Sequence, residues 1–236
     1  MLSQAIAVPP IDNAETVTLE RLLTERHSCR AFRGEPVARP AIERILSLAQ
    51  RSGSWCNAQP WQVIVTMGAE TDRFRSLLSQ HVLGDVKLPD IPFPREYRGA
   101  YLERRRECGF QLYESVGIAR GDREASGRQA LENFRLFGAP HVAIVTTEEA
   151  LGTYGAVDCG AFVANFTLAA RSLGVATIAQ AAIAAYSPFV REFFSIPADR
   201  QVVCGISFGY EDQQHGANNF RTSRASLSEV VTWFGP

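Results

Sequence analysis

The sequence predicts an α+β or α/β sandwich in which helices and strands surround one sheet. Three observations predict it. Apolar residues at helical spacing alternate along the chain with short β-branched runs. Ala156 to Leu173 is apolar on nearly every side, with only Asn165 and Thr167 polar between Asp158 and Arg171, so it reads as a long central helix enclosed by protein. No linker, low-complexity segment or internal repeat divides the chain, so residues 1–236 are expected to form one domain, with an irregular helical insertion at about 84–138.

The elements follow in order. Residues 15–26 read as a helix with Leu19, Leu22 and Leu23 on one face, and Ala41 to Arg51 as a second with Ile42, Ile45, Leu46 and Leu48. Pro60 opens a strand, Trp61 to Thr66, and 70–81 returns to helix. Pro89, Pro92 and Pro94 prevent regular structure throughout 84–94. From Glu96 to about Gly138 the pattern is helical but rich in arginine, so it covers a core or a partner without forming one. A strand at His141 to Thr147 precedes the central helix. A strand at Val175 to Gln180, a helix at 187–195 and a strand at Gln201 to Phe208 follow it. Residues 211–224 read as polar loop and 226–234 as a last amphipathic element.

Composition bounds the partners. Twenty-four basic residues against 25 acidic ones give a net charge of -1, which argues against a nucleic-acid backbone as the main partner. Every basic residue except Lys87 is arginine, the side chain suited to bidentate phosphate contact. Five cysteines without a C-x-x-C pair read as reduced thiols, with neither a disulfide frame nor a zinc site. Met1 to Glu20 lacks a basic start and a long apolar core, so no signal peptide is expected. Cys159 to Ala170 is too short to span a bilayer. A soluble, cytoplasmic protein is expected, with no membrane partner.

Four segments carry possible chemistry. Arg26-His27-Ser28-Cys29-Arg30 could grip a phosphate between two guanidiniums, or could be a solvated helix end. Ser54-Trp55-Cys56-Asn57-Ala58-Gln59 offers amides and a flat ring in a loop. Gln180-Ala181-Ala182 leaves backbone N–H groups accessible after a strand. Arg221 and Arg224 form a late basic pair that could converge on the same phosphate or lie on the surface. P-loop and dinucleotide-binding glycine motifs are missing. One rival is Gly205-Ile206-Ser207-Phe208-Gly209, which fits a hydrolase nucleophile elbow with Ser207 as nucleophile, but no helix follows it and Asp212 and His215 crowd against it.

Taken together and in order, R-H-S-x-R at Arg26, E-P-V at Glu35, N-x-Q-P-W at Asn57, Gly138 to His141, the apolar helix, G-V-A-T at Gly174 and the late arginines resemble the nitroreductase family of FMN-dependent oxidoreductases. The resemblance runs from about Leu19 to Trp233, and the insertion resembles a bacterial branch associated with nitroaromatic substrates. It implies an α+β, three-layer α/β/α sandwich with a mixed, mostly antiparallel sheet. It also implies a homodimer with shared sites, in which FMN takes hydride at N5 from NADH or NADPH and passes it to nitroaromatic or quinone acceptors by a ping-pong mechanism. No protein acid or base would be needed.

By position, Arg26, His27, Ser28, Arg30, Arg221 and Arg224 would lie at the FMN phosphate and ribityl end. Ser54, Trp55, Asn57 and Gln59 would come from the partner subunit, and Gln180, Ala181 and Ala182 would lie beside N5, mainly through their backbone. Asn133 and Arg135 fall where relatives place further contacts, and Trp55, Tyr97, Tyr101 and Tyr113 are candidate pocket walls or dimer packing. The alternatives are a flavin-binding protein of this fold without nicotinamide turnover, and the Ser207 hydrolase.

Overall fold

The computed structural model describes residues 13–84 and 86–235, so the leader reading of the first residues lies mostly outside it. Helix α1 (Ala14–Glu25) starts where the Asn13 side chain accepts from the N–H groups of Glu15 and Thr16. Helix α2 (Arg39–Ala49) begins two residues earlier than the apolar pattern, because Pro40 suits the first turn. Strand β1 (Gln62–Val65) and helix α3 (Ala69–His81) follow as expected. The arginine-rich insertion forms α4 (Gly99–Ser115) and α5 (Arg123–Leu131), neither of which has a buried residue.

Strand β2 (His141–Glu148) leads into α6 (Gly152–Ser172), the longest helix. It starts four residues before the apolar run from Ala156, with Gly152 and Gly155 in its first turn. Gly155 is required there, because a Cβ would stand 2.5 Å from the Thr147 hydroxyl on β2. Strand β3 (Ala176–Gln180), the short α7 (Ala181–Ala184), α8 (Ser187–Phe194) and β4 (Arg200–Gly209) complete the body. In the tail only α9 (Leu227–Val230) is helical, shorter than the amphipathic element expected over 226–234.

The strands order as β1-β2-β4-β3, all antiparallel. The sheet is thus antiparallel where a mixed one was expected, and the parallel element is an isolated bridge, Ser28 to Thr177, outside the named strands. Strand β2 is buried on both faces and divides two cores. Ala143 and Val145 pack with Ile42, Ile45, Phe162 and Phe166 of α2 and α6. Val142 and Ile144 pack with Phe74, Leu78, Ile183 and Val190 of α3, α7 and α8. This is the three-layer α/β/α arrangement. A bulge at the Val145–Thr146 register shift flips the parity of β4, which sends Val202 to the second core and Cys204, Ile206 and Phe208 to the first.

Within one chain α6 is enclosed on one side only. Cys159, Phe162, Phe166 and Ala170 are buried, whereas Tyr154 and Val157 are each 59% exposed and Gly160, Ala161 and Ala164 are exposed with them. On α1, Val17, Leu19 and Leu23 are also more than half exposed. Among the described residues no helix is long and apolar enough to cross a membrane.

Candidate active site

After α1 the chain runs extended alongside β3, with the Cys29 N–H donating to the Thr177 carbonyl at 3.0 Å. Extended backbone alternates sides, and this explains the R-H-S-x-R spacing. Arg26, Ser28 and Arg30 share one side. His27 and Cys29 take the other. The Cys29 thiol is fully buried and donates to the Ala31 carbonyl, and burial pushes its pKa up to about 12. It is a protonated anchor. The His27 ring has both nitrogens occupied, Nδ1 by the Glu25 carbonyl at 3.0 Å and Nε2 by the Glu211 carboxylate at 2.9 Å. Its ring is therefore tied down, and His27 borders the cavity below together with Arg26, Ser28 and Arg30.

The tail is stitched to this segment. Asn218 is buried; its Oδ1 accepts from the Arg30 N–H at 2.7 Å, and its Nδ2 donates to the carbonyls of Ala31 and Asp212, both at 2.9 Å. Phe220 then lies under the Arg30 guanidinium, 5.6 Å from ring centre to Cζ. Arg221 donates Nη1 to the Asn218 carbonyl at 2.7 Å, and Arg224 donates Nη1 to the Thr222 hydroxyl at 2.8 Å. Each fork is held by one nitrogen and keeps its others for a ligand.

The result is a cavity of about 660 Å³ whose walls include Arg26, Ser28, Arg30, Arg221 and Arg224. Among the described residues none of these four guanidiniums pairs with a carboxylate, and none of the cavity walls is acidic. Burial, and after it the charge of Arg224, lowers the Arg26 pKa; burial lowers that of Arg30. Arginine stays charged at these positions, so like charges from the two ends of the chain face one space. An anion relieves that repulsion through charge-assisted hydrogen bonds.

The other predicted segments lie apart from this cavity. The loop 54–59 folds as a 3-10 turn, Trp55–Asn57, with Cys56, Asn57 and Gln59 at positive φ. It is fastened to the front half of α6. The Trp55 N–H donates to Asp158 at 3.1 Å, and the Trp55 ring meets Tyr154 edge-on at 4.5 Å. The Ser54 hydroxyl accepts from the Gln59 N–H, and Gln50 donates to Gln59 Oε1 while accepting from Trp61 Nε1. The Arg26 segment instead abuts the far end of α6, where Arg171 pairs with Glu25 at 2.8 Å. Asp158 and Arg171 are separated by about 20 Å at 1.5 Å per helical residue.

At the end of β3, Gln180 is buried and its side chain is committed internally. Its Nε2 donates to the Asn133 carbonyl at 2.7 Å, and its Oε1 accepts from the Ser207 hydroxyl. What remains for a ligand is backbone: Ala181 and Ala182 open α7, and the first N–H groups of a helix lack partners within it. From Thr177, beside Ser28, to Gln180 is about 10 Å along the strand. Arg135 pairs with Glu132 on the surface.

Sequence reasoning missed Cys108 of α4 and Phe220, both of which wall the cavity, and the Asn218 staple. Cys108 brings the insertion over the cavity. The hydrolase reading fails on geometry. Ser207 lies wholly buried near the end of β4 with its hydroxyl spent on Gln180. The motif glycines serve packing: a Cβ at Gly205 would stand 2.5 Å from Ile183 Cδ1, and one at Gly209 would stand 2.5 Å from Pro140.

Known proteins match over nearly the whole length. The Nitroreductase family profile matches residues 23–210. The nitroreductase NfnB of Mycolicibacterium smegmatis is 35% identical over 233 residues, which cover 96% of this chain and 98% of that protein. A 4-nitrobenzoate reductase of Nocardioides sp. is 32% identical, covering 97% of this chain and 92% of its own. The crystal structure of the FMN-dependent nitroreductase NfnB from Mycobacterium smegmatis in complex with NADPH superposes with a TM-score of 0.89 at 32% identity, covering 94% of this chain and all of the other.

Proposed function

Because the chain belongs to the Nitroreductase family, we propose that it is an FMN-dependent oxidoreductase that reduces nitroaromatic or quinone acceptors with NADH or NADPH. One observation carries the reading: four guanidiniums free of carboxylate partners among the described residues surround a single cavity. A phosphate monoester fits that cradle in charge and in donor type. Bound FMN supplies hydride acceptance at N5 from the nicotinamide and hydride donation to the acceptor in a second half-reaction.

The protein's own work is binding and electrostatics. Arg26, Arg30, Arg221 and Arg224 hold the phosphate, and the Ser28 hydroxyl donates beside them. The N–H groups of Ala181 and Ala182 would supply fixed donors to the ring, which would favour added negative charge on it. The Gln180 side chain takes no part, since Asn133 and Ser207 already use it. No side-chain acid or base is assigned.

The second half of each site comes from a second copy of the chain. The exposed face of α6 carries Val157, Gly160, Ala161 and Ala164, and small side chains there let two such helices approach closely. A two-fold axis through the middle of that face exchanges the two ends of α6. It carries the 54–59 loop of one protomer toward the arginine cavity of its partner and covers Trp55 and Leu23. Helix α4 of the insertion reaches the cavity through Cys108. Dispersed free cysteines suit the reducing cytoplasm.

Purified protein is expected to be yellow, dimeric, and bleached by NADPH or NADH, with reoxidation by a nitroaromatic acceptor. Colourless protein that takes up no FMN would overturn the reading. Flavin that neither nicotinamide reduces would replace it with a binding role.

A further inference from the structure

A second cavity adjoins the first. Its volume is about 600 Å³, and its walls are the insertion helix α4 with Tyr97 before it, and the tail at 222–225. The two cavities share Cys108, Thr222 and Arg224, so the second opens directly beside the proposed phosphate site. Tyr101, Arg105 and Cys108 recur at helical spacing on α4, which turns them toward the tail together.

The chemistry of the groove is specific. Tyr97 and Tyr101 present rings, 43% and 71% exposed. The Arg105 guanidinium is held over the Tyr97 ring, 5.2 Å from its centre, and among the described residues it has no carboxylate partner. Arg104, by contrast, is taken by Glu229 at 3.2 Å. Glu107, the one carboxylate in the lining among the described residues, is occupied by the Ser223 hydroxyl at 3.2 Å. Two open rings beside an unpaired, pre-positioned guanidinium suit a flat heterocycle that carries a phosphate.

We infer that this groove binds the adenosine half of the nicotinamide donor, with the base against Tyr101 and Tyr97 and a ribose 2′-phosphate on Arg105. The inference rests on the oxidoreductase reading. Size selects the occupant. The groove adjoins the phosphate cavity, whose Ser28 pairs with Thr177 about 10 Å along β3 from Gln180, after which come the backbone donors assigned to the redox atom. A single-ring acceptor stacked at those donors cannot reach back that far, whereas a dinucleotide can. The 2′-phosphate distinguishes NADPH from NADH, so Arg105 sets the donor preference and α4 acts as a donor-binding helix.

The test uses FMN-loaded protein, with anaerobic stopped-flow reduction by each nicotinamide and calorimetric titration with adenosine 2′,5′-bisphosphate. Arg105→Ala should raise the NADPH Kd about tenfold, the effect of losing one charge-assisted contact. It should leave the NADH Kd and both limiting reduction rates within about twofold, and it should weaken bisphosphate binding by about the same tenfold factor. Tyr101→Ala should weaken both nicotinamides by similar factors. Equal weakening of NADPH and NADH in Arg105→Ala, or bisphosphate binding equal to wild type, would overturn the proposal. If neither nicotinamide bleaches the wild type, the oxidoreductase reading fails, and the bisphosphate titration still decides the groove.

Discussion

Replacing Arg224 by alanine should change the free and the FMN-loaded protein in opposite directions. In the free protein the Arg224 charge presses on Arg26, lowering its pKa after burial has done so. Arg224 is exposed, so solvent screens this repulsion to on the order of 0.3–1 kcal/mol. Its removal should raise the melting temperature of FMN-free protein by about 1–3 °C for a chain of this size. With FMN present the same substitution removes a charge-assisted contact of about 1.5–3 kcal/mol, a loss of about 10- to 150-fold in affinity.

Linkage turns that into a crossing. At FMN one hundred times the wild-type Kd, bound cofactor stabilises the protein by about 2.7 kcal/mol; a variant bound thirtyfold more weakly keeps only about 0.9. The loaded variant should therefore melt about 2–4 °C below loaded wild type, although the FMN-free variant melts above its counterpart. Thermal melts with and without FMN, together with a fluorescence titration of FMN, check both halves. A variant less stable than wild type without FMN, or unchanged in FMN affinity, would refute the idea that these guanidiniums share one anion.

Three further outcomes follow from single contacts. Ser207→Ala should leave flavin reduction intact yet cost about 1–3 kcal/mol in urea unfolding, because buried Gln180 Oε1 loses its donor. Gly216→Ala should weaken FMN binding and destabilise by about 1–3 kcal/mol, since the new Cβ would stand 2.1 Å from the Ser115 carbonyl oxygen and push the tail off α4. His141 is buried as the neutral ring, Nε2 accepting from the Val37 N–H and Nδ1 donating to the Thr66 carbonyl, and burial lowers its pKa from 6.5. The unfolded chain takes up a proton that the native ring refuses, so stability should fall as pH drops below about 6.5. Urea midpoints at pH 5.5 and 7.5 measure that fall, and His141→Gln, which can keep both hydrogen bonds, should flatten it.

The legible parts of the sequence were those written in local periodicity. The alternation of Arg26, Ser28 and Arg30 needs only an extended backbone, and the strands and most helices carry apolar spacing that neighbours enforce. What escaped depends on contacts between distant segments. Asn218 sits in a polar run that reads as loop, yet it bonds the Arg30 N–H across 188 positions. The start of α6 lies outside the apolar run that marks the helix, because Gly155 there answers to Thr147 on another element. Ser207 matched a nucleophile motif whose glycines make room for Ile183 and Pro140. His27 shares a pentapeptide with Arg26 and Arg30, and its ring bonds Glu211 across 184 positions.

Subunit mixing tests the shared site most directly. Arg26→Glu spoils the cavity and Asn57→Phe spoils the loop, so each variant alone should bind almost no FMN. In a heterodimer of the two, the site that joins the intact cavity of one protomer to the intact loop of its partner is wild type. Purified heterodimer should therefore hold one FMN per two chains and recover about half of the wild-type reductase rate. Heterodimer that stays as empty as its parents would mean that each site is built within a single chain.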